Sequence, residues 1–205
     1  MLDKIKSLLR TLGFSKVPPL ESKAQLIDFI YSRAAYVSQV TLYTYVKARS
    51  GTQHPKLFEN EAFLTSLRIA RWHIFGAAVA DLALFSAAQM IQSGPLSDQD
   101  ARQFAKQLMY AILHNYDQQD IAKSEFDKML GRGQQRADSA DWAFIATGSA
   151  AFQASSDAVF RWAPIANELK QDDEEIVRNS IHLRWIGVRR DVKDLLRPAA
   201  IAATL

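Results

Sequence analysis

Residues 72–91 carry only two ionisable side chains, His73 and Asp81. The remaining positions are Ala, Gly, Ser and larger apolar residues with a single glutamine, and no proline or paired glycine interrupts them. The run is far longer than a typical strand, so it predicts a helix. A helix that is apolar on all sides is buried on all sides. Its length also matches the ~20 residues that cross a bilayer, but Asp81 would then lie near the bilayer centre, at a cost of about 3 kcal/mol. The expectation is therefore the central helix of a compact helical domain, with a carboxylate on its apolar side.

Helical spacing continues on both sides of this run. Residues 2–12 place Leu2, Ile5, Leu8, Leu9 and Leu12 on one face and Lys4, Lys6 and Arg10 off it, and Gly13 follows as a stop. Residues 15–21 include Pro18 and Pro19 and read as a stiff linker. Further helices are predicted over 22–49, 59–92, 98–115, 118–130, 139–163 and 173–196. Gly94-Pro95 ends the third of the seven, and Ser97 caps the next, whose first turn holds Asp98 and Asp100. Residues 131–136 (Gly-Arg-Gly-Gln-Gln-Arg) read as an exposed loop. The segments 59–92 and 139–163 are rich in small residues, which let backbones approach closely, and are the expected core pair. No alternating strand pattern occurs. The chain thus reads as an all-α, single-domain bundle of about seven helices. An amphipathic helix spans 1–14, a linker 15–21, the bundle 22–197 and an apolar tail 198–205.

An apolar content of 48% is ample for a core, and the absence of cysteine excludes disulfides, thiol chemistry and cysteine-ligated zinc. Charges within 1–12 break the continuous apolar region of a signal peptide, so a cytoplasmic chain is expected. A net charge of +3 does not by itself argue for nucleic acid.

Three residues are the buried polar candidates: Asp81, His73 and Arg71. At helical spacing Asp81 lines up with Ile74, Ala77, Ala78, Phe85 and Ala88, and a buried carboxylate needs a partner. Arg68, Arg71, Arg161 and His114 are available for that. His73 shares a face with Gly76, Ala80 and Ala87 and lies about 12 Å along the helix from Asp81, too far for a direct pair. A packing role is the expectation for both. His114 and His182 stand alone, with no HExxH and no Glu-x-x-His pair, so neither a metal nor a cofactor is expected. No nucleophile elbow, P-loop or dinucleotide fingerprint occurs. Catalytic residues are therefore not identified.

Residues 2–12 form a basic amphipathic segment. Leu2, Ile5, Leu8, Leu9 and Leu12 can enter a membrane interface while Lys4, Lys6 and Arg10 face anionic headgroups, or the same face can meet a protein partner. Arg184, Arg189, Arg190, Lys193 and Arg197 make a second basic cluster, diluted by Asp191 and Asp194.

Residues 37–47 (Val-Ser-Gln-Val-Thr-Leu-Tyr-Thr-Tyr-Val-Lys) resemble the recognition-helix segment of TetR-type repressors. That resemblance implies DNA binding through a helix-turn-helix, with Ser38, Thr41, Tyr43 and Lys47 as groove or phosphate contacts. Tyr36 stands where that family has its turn glycine. The stretch from Thr41-Leu42-Tyr43 through Ala77-Ala78-Val79-Ala80-Asp81-Leu82 also resembles a family of uncharacterised all-α bacterial proteins, some labelled esterases; the residues here supply no elbow, triad or oxyanion loop for ester hydrolysis.

The reading these features favour is a non-enzymatic cytoplasmic interaction or accessory protein that can sit at the inner face of the membrane. It would work with a protein partner, a homodimer or an anionic membrane surface. A DNA-binding regulator is the first alternative and a hydrolase without a recognisable motif the second.

Overall fold

A computed structural model describes residues 18–115, 121–148 and 151–205, and the predicted helix over 2–12 lies outside them. The described residues are all-helical, in ten helices where six of the seven predicted ones fall. They are α1 (Lys23–Ser50), α2 (His54–Leu57, after a 3₁₀ turn over Gly51–Gln53), α3 (Glu61–Gln92), α4 (Asp98–His114) and α5 (Lys123–Asp138). They continue with α6 (Trp142–Thr147), α7 (Gln153–Trp162), α8 (Asn167–Gln171), α9 (Glu174–Leu195) and α10 (Pro198–Ala202).

The starts of the long helices follow from their caps. Ser22 and Gln25 form a reciprocal capping box at the head of α1. Asn60 and Ser97 cap α3 and α4 by accepting the amides of Phe63 and Asp100. Each cap satisfies backbone donors that the first helical turn would otherwise leave open.

Helix α3 is the axis of the fold. It packs against α1, α4, α5, α6 and α7, and α9 closes over α7 and α1. From Trp72 to Met90 nearly every α3 residue is buried, including Ile74, Leu82, Leu84 and Phe85. Each such large side chain contributes about 1.5–3 kcal/mol on burial. Among the described helices α3 alone is long and apolar enough to cross a membrane, and its most apolar window is 83% buried within the protein.

Several boundaries differ from the sequence expectation. The single helix predicted over 139–163 is two, because Gly148 caps α6 in the left-handed conformation (φ 85°) and turns the chain before α7. Accordingly α3 has neighbours on every side instead of one core partner. Residues 131–136, predicted as a loop, belong to α5. Glycine inside a helix costs about 1 kcal/mol against alanine, but Gly133 is where α5 closes on α4 and α3. A Cβ there would lie 3.0 Å from Met109 Sδ and 3.4 Å from Ala80 Cβ. The apolar tail is also folded, since α10 buries Ile201. Part of the predicted linker is held too: the Leu20 amide donates to Leu195 O (2.9 Å), and Arg197 N–H donates to Leu20 O (3.0 Å). The entering chain is thereby fixed beside the C-terminal end of α9.

Candidate functional site

Asp81 has no exposed surface. Its Oδ2 accepts the Ser155 amide hydrogen at 2.8 Å, and its Oδ1 lies 2.7 Å from Arg136 Nη1. The second contact is an ion pair whose geometry falls outside that of an aligned hydrogen bond. Ser155 is in the first turn of α7, a helix with no side-chain cap of its own. The Asp81 carboxylate therefore caps α7 from α3, where the helix dipole also favours negative charge. Trp185 of α9 donates its indole N–H to Ser155 Oγ at 3.1 Å, extending the network to a fourth helix. Burial pushes the Asp81 carboxyl above the usual carboxylate range, while the Arg136 charge and the Ser155 hydrogen bonds oppose that shift. The partner is thus Arg136, and not Arg68, Arg71, Arg161 or His114. Arg71 is only half-buried, unlike Asp81 and His73.

His73 is 3% exposed and lies flat on Trp162, with ring centroids 3.5 Å apart and planes 6° from parallel. Burial pushes its imidazole down to about 4, the Arg132 and Arg161 charges acting in the same direction and Glu125 against it. It is neutral at pH 7, and its Nδ1 is buried without a hydrogen-bond partner among the described residues. His73 lines a cavity of about 200 Å³ between α3, α5 and α7. Small residues of α3 form the floor, with Gly76 and Gly133 bringing the helices together. A Cβ on Gly76 would lie 2.0 Å from Met129 Sδ. Arg132, Arg136, Arg161 and Asp157 supply the cavity's charge. Sequence reasoning missed Arg132 and Arg136 because 131–136 read as a loop; their four-residue spacing places them on one side of a helix once α5 is seen to continue.

The segment resembling a repressor recognition helix lies in the middle of α1. Ser38 and Thr41 are buried, and Ser38 Oγ donates to Ala34 O at 2.7 Å, so neither can reach a groove or a phosphate. Tyr43 and Lys47 are exposed. The C-terminal end of α1 is instead tied to the start of α9. Arg49 pairs with Asp173 through two guanidinium nitrogens, and Tyr45 donates to the same carboxylate at 3.0 Å. His114 stacks on Tyr110 within α4. Among the described residues no three His, Asp or Glu side chains gather as a metal site.

The outer face of α9 exposes three large aliphatic side chains. Ile176 (70% exposed), Leu183 (65%) and Ile186 (47%) lie along it. At helical spacing the same arc carries Arg190 and Lys193, both exposed. The membrane- or partner-contact residues predicted over 2–12 lie outside the described residues. No protein-family model, curated protein or solved structure matches this chain.

Proposed function

We propose that this chain is a non-enzymatic interaction protein that docks on an anionic membrane surface through the outer face of α9 together with segment 2–12. The observation that carries the reading is the pairing of exposed apolar residues (Ile176, Leu183, Ile186) with exposed cations (Arg190, Lys193) on one arc of α9. This arc leads towards the point where Leu20 holds the entering chain against Leu196. The part given to segment 2–12 rests on its sequence, which repeats the same combination of leucines and cations. Apolar insertion supplies area, and each cation near an anionic leaflet contributes about 1 kcal/mol. Glu175 and Asp194 on α9 temper that attraction. The inner leaflet of a cytoplasmic membrane has the matching charge. The engagement of Asp81 in capping α7 supports a packing role for the one carboxylate at the centre of the bundle.

Co-sedimentation tests the reading, with vesicles of phosphatidylcholine alone or mixed with phosphatidylserine. The full chain is expected to pellet with the anionic vesicles only, and less as salt is raised. Loss is expected for a chain beginning at Ser15 and for the Leu183→Ser/Ile186→Ser variant. Absence of pelleting, or equal pelleting with neutral vesicles, would overturn it. A concentration-dependent dimer abolished by Leu183→Ser would assign the face to a second copy instead.

A further inference from the structure

We propose that the cleft between α3, α5 and α7 binds a small amphipathic carboxylate, with its apolar body in the cavity and its charged end held by Arg132 and Arg161. The charges around the cleft are unequally engaged. Arg136 is paired with Asp81 (2.7 Å), and Asp157 with Arg178 (2.5 Å). Arg132 and Arg161 remain, one from α5 and one from α7, exposed and without a carboxylate partner among the described residues. One guanidinium on each of two walls of the cleft, that of Arg161 lying 5.5 Å over the Trp162 ring, offers the planar fork by which Arg recognises a carboxylate bidentately.

The interior has the opposite character. Gly76, Ala77, Ala80, Met129 and Ala158 give it an apolar lining, and the ring of His73, stacked on Trp162, closes one side. A cavity of about 150 Å³ lined by apolar side chains holds benzene, so about 200 Å³ accommodates one ring or a short alkyl chain. The small side chains of Ala77 and Ala158 leave this space open.

The full chain titrated with benzoate and hexanoate tests this. Calorimetry gives the affinity, and the backbone amide shifts of Gly76 and Gly133 give the location. Benzoate is expected to bind at least tenfold more tightly than benzyl alcohol, which lacks the charge, and than inorganic phosphate, which lacks the apolar body. Arg132→Gln/Arg161→Gln changes exposed residues, so the fold is retained, and is expected to weaken benzoate at least tenfold. Ala77→Phe fills the space from a half-buried position and is expected to abolish binding. No saturable binding of either carboxylate at millimolar concentration would overturn the proposal. So would affinity that is indifferent to the arginine substitutions, shifts confined to residues away from the cleft, or phosphate binding as well as benzoate.

Discussion

Asp81 accepts the backbone hydrogen of Ser155 at 2.8 Å across 74 positions of sequence, so that a residue in the middle of one helix caps another. The same carboxylate is paired with Arg136 from a third helix. Removing one partner of a buried ion pair costs about 3–5 kcal/mol when the survivor stays unpaired. Arg136 retains about a third of its side-chain exposure, so water takes over part of its lost pairing. Asp81→Asn keeps an acceptor for Ser155 and is expected to lower unfolding free energy by about 2 kcal/mol, while Asp81→Leu, which also uncaps α7, is expected to lower it by about 3–5 kcal/mol. Urea unfolding of the two variants checks the order. Equal losses would mean that the cap contributes nothing beyond the ion pair.

How much of this was legible in the sequence depended on whether the signal was local. The all-α class, the central helix at 72–91 and the burial of Asp81 and His73 follow from composition and spacing, because apolar periodicity is a property of one segment. The partner of Asp81 was not legible, since proximity of 81, 136 and 155 is a product of packing. Gly131 and Gly133 misled because glycine marks loops by its backbone freedom and also marks close helix contacts by its missing side chain; only the neighbouring helices decide between them. Gly148 did the reverse, ending a helix inside what reads as small-residue packing. The resemblance over 37–47 placed Ser38 and Thr41 at a DNA surface. Their burial follows from the α1 face they share with Ala34, Val37 and Leu42.

Acid is expected to weaken the fold through His73. Its folded value of about 4 lies below the ordinary 6.5. Between those values the unfolded chain takes a proton that the folded one refuses. The contribution is therefore complete above about pH 6.5 and is lost as pH falls towards 4, by at most about 3 kcal/mol. Carboxylates titrate at the lower end of this window, so the readout is a difference. His73→Phe, which keeps a ring against Trp162, is expected to flatten the slope of stability between pH 6.5 and 5. An unchanged slope in that variant would assign the acid sensitivity elsewhere.

The clasp between α1 and α9 is expected to behave as one unit. Arg49 holds the Asp173 carboxyl below the usual range, and Tyr45, which donates to Oδ2 of the same carboxylate, is pushed up to about 12 chiefly by burial. For Asp173 the sign is opposite in origin to that of His73 but the same in direction. Its lowered value means stability that is present above its unfolded value near 3.9 and is lost as pH falls through the folded one. Arg49→Gln and Asp173→Asn should each lower Tm, and the double variant should lower it by much less than the two together. Additive losses would show that the two residues act independently.

Glycine substitutions separate backbone freedom from close approach. Gly148 and Gly94 both have φ near +90°, where a side chain costs about 1–2 kcal/mol. A Cβ at Gly94 would meet nothing within 4 Å, whereas at Gly148 it would lie 2.8 Å from Arg189 Cδ and 3.3 Å from the buried ring of Phe85. Gly131 is helical, with open space around its missing Cβ. Gly131→Ala is therefore expected to stabilise the protein by about 0.5–1 kcal/mol through helix propensity. Gly94→Ala should destabilise it by about 1 kcal/mol, and Gly148→Ala by more, since Phe85 cannot move within a close-packed core. Thermal unfolding of the three variants gives the order directly. If Gly148→Ala were no worse than Gly94→Ala, the approach of α9 to the α6–α7 turn would be looser than the Arg189 contact indicates.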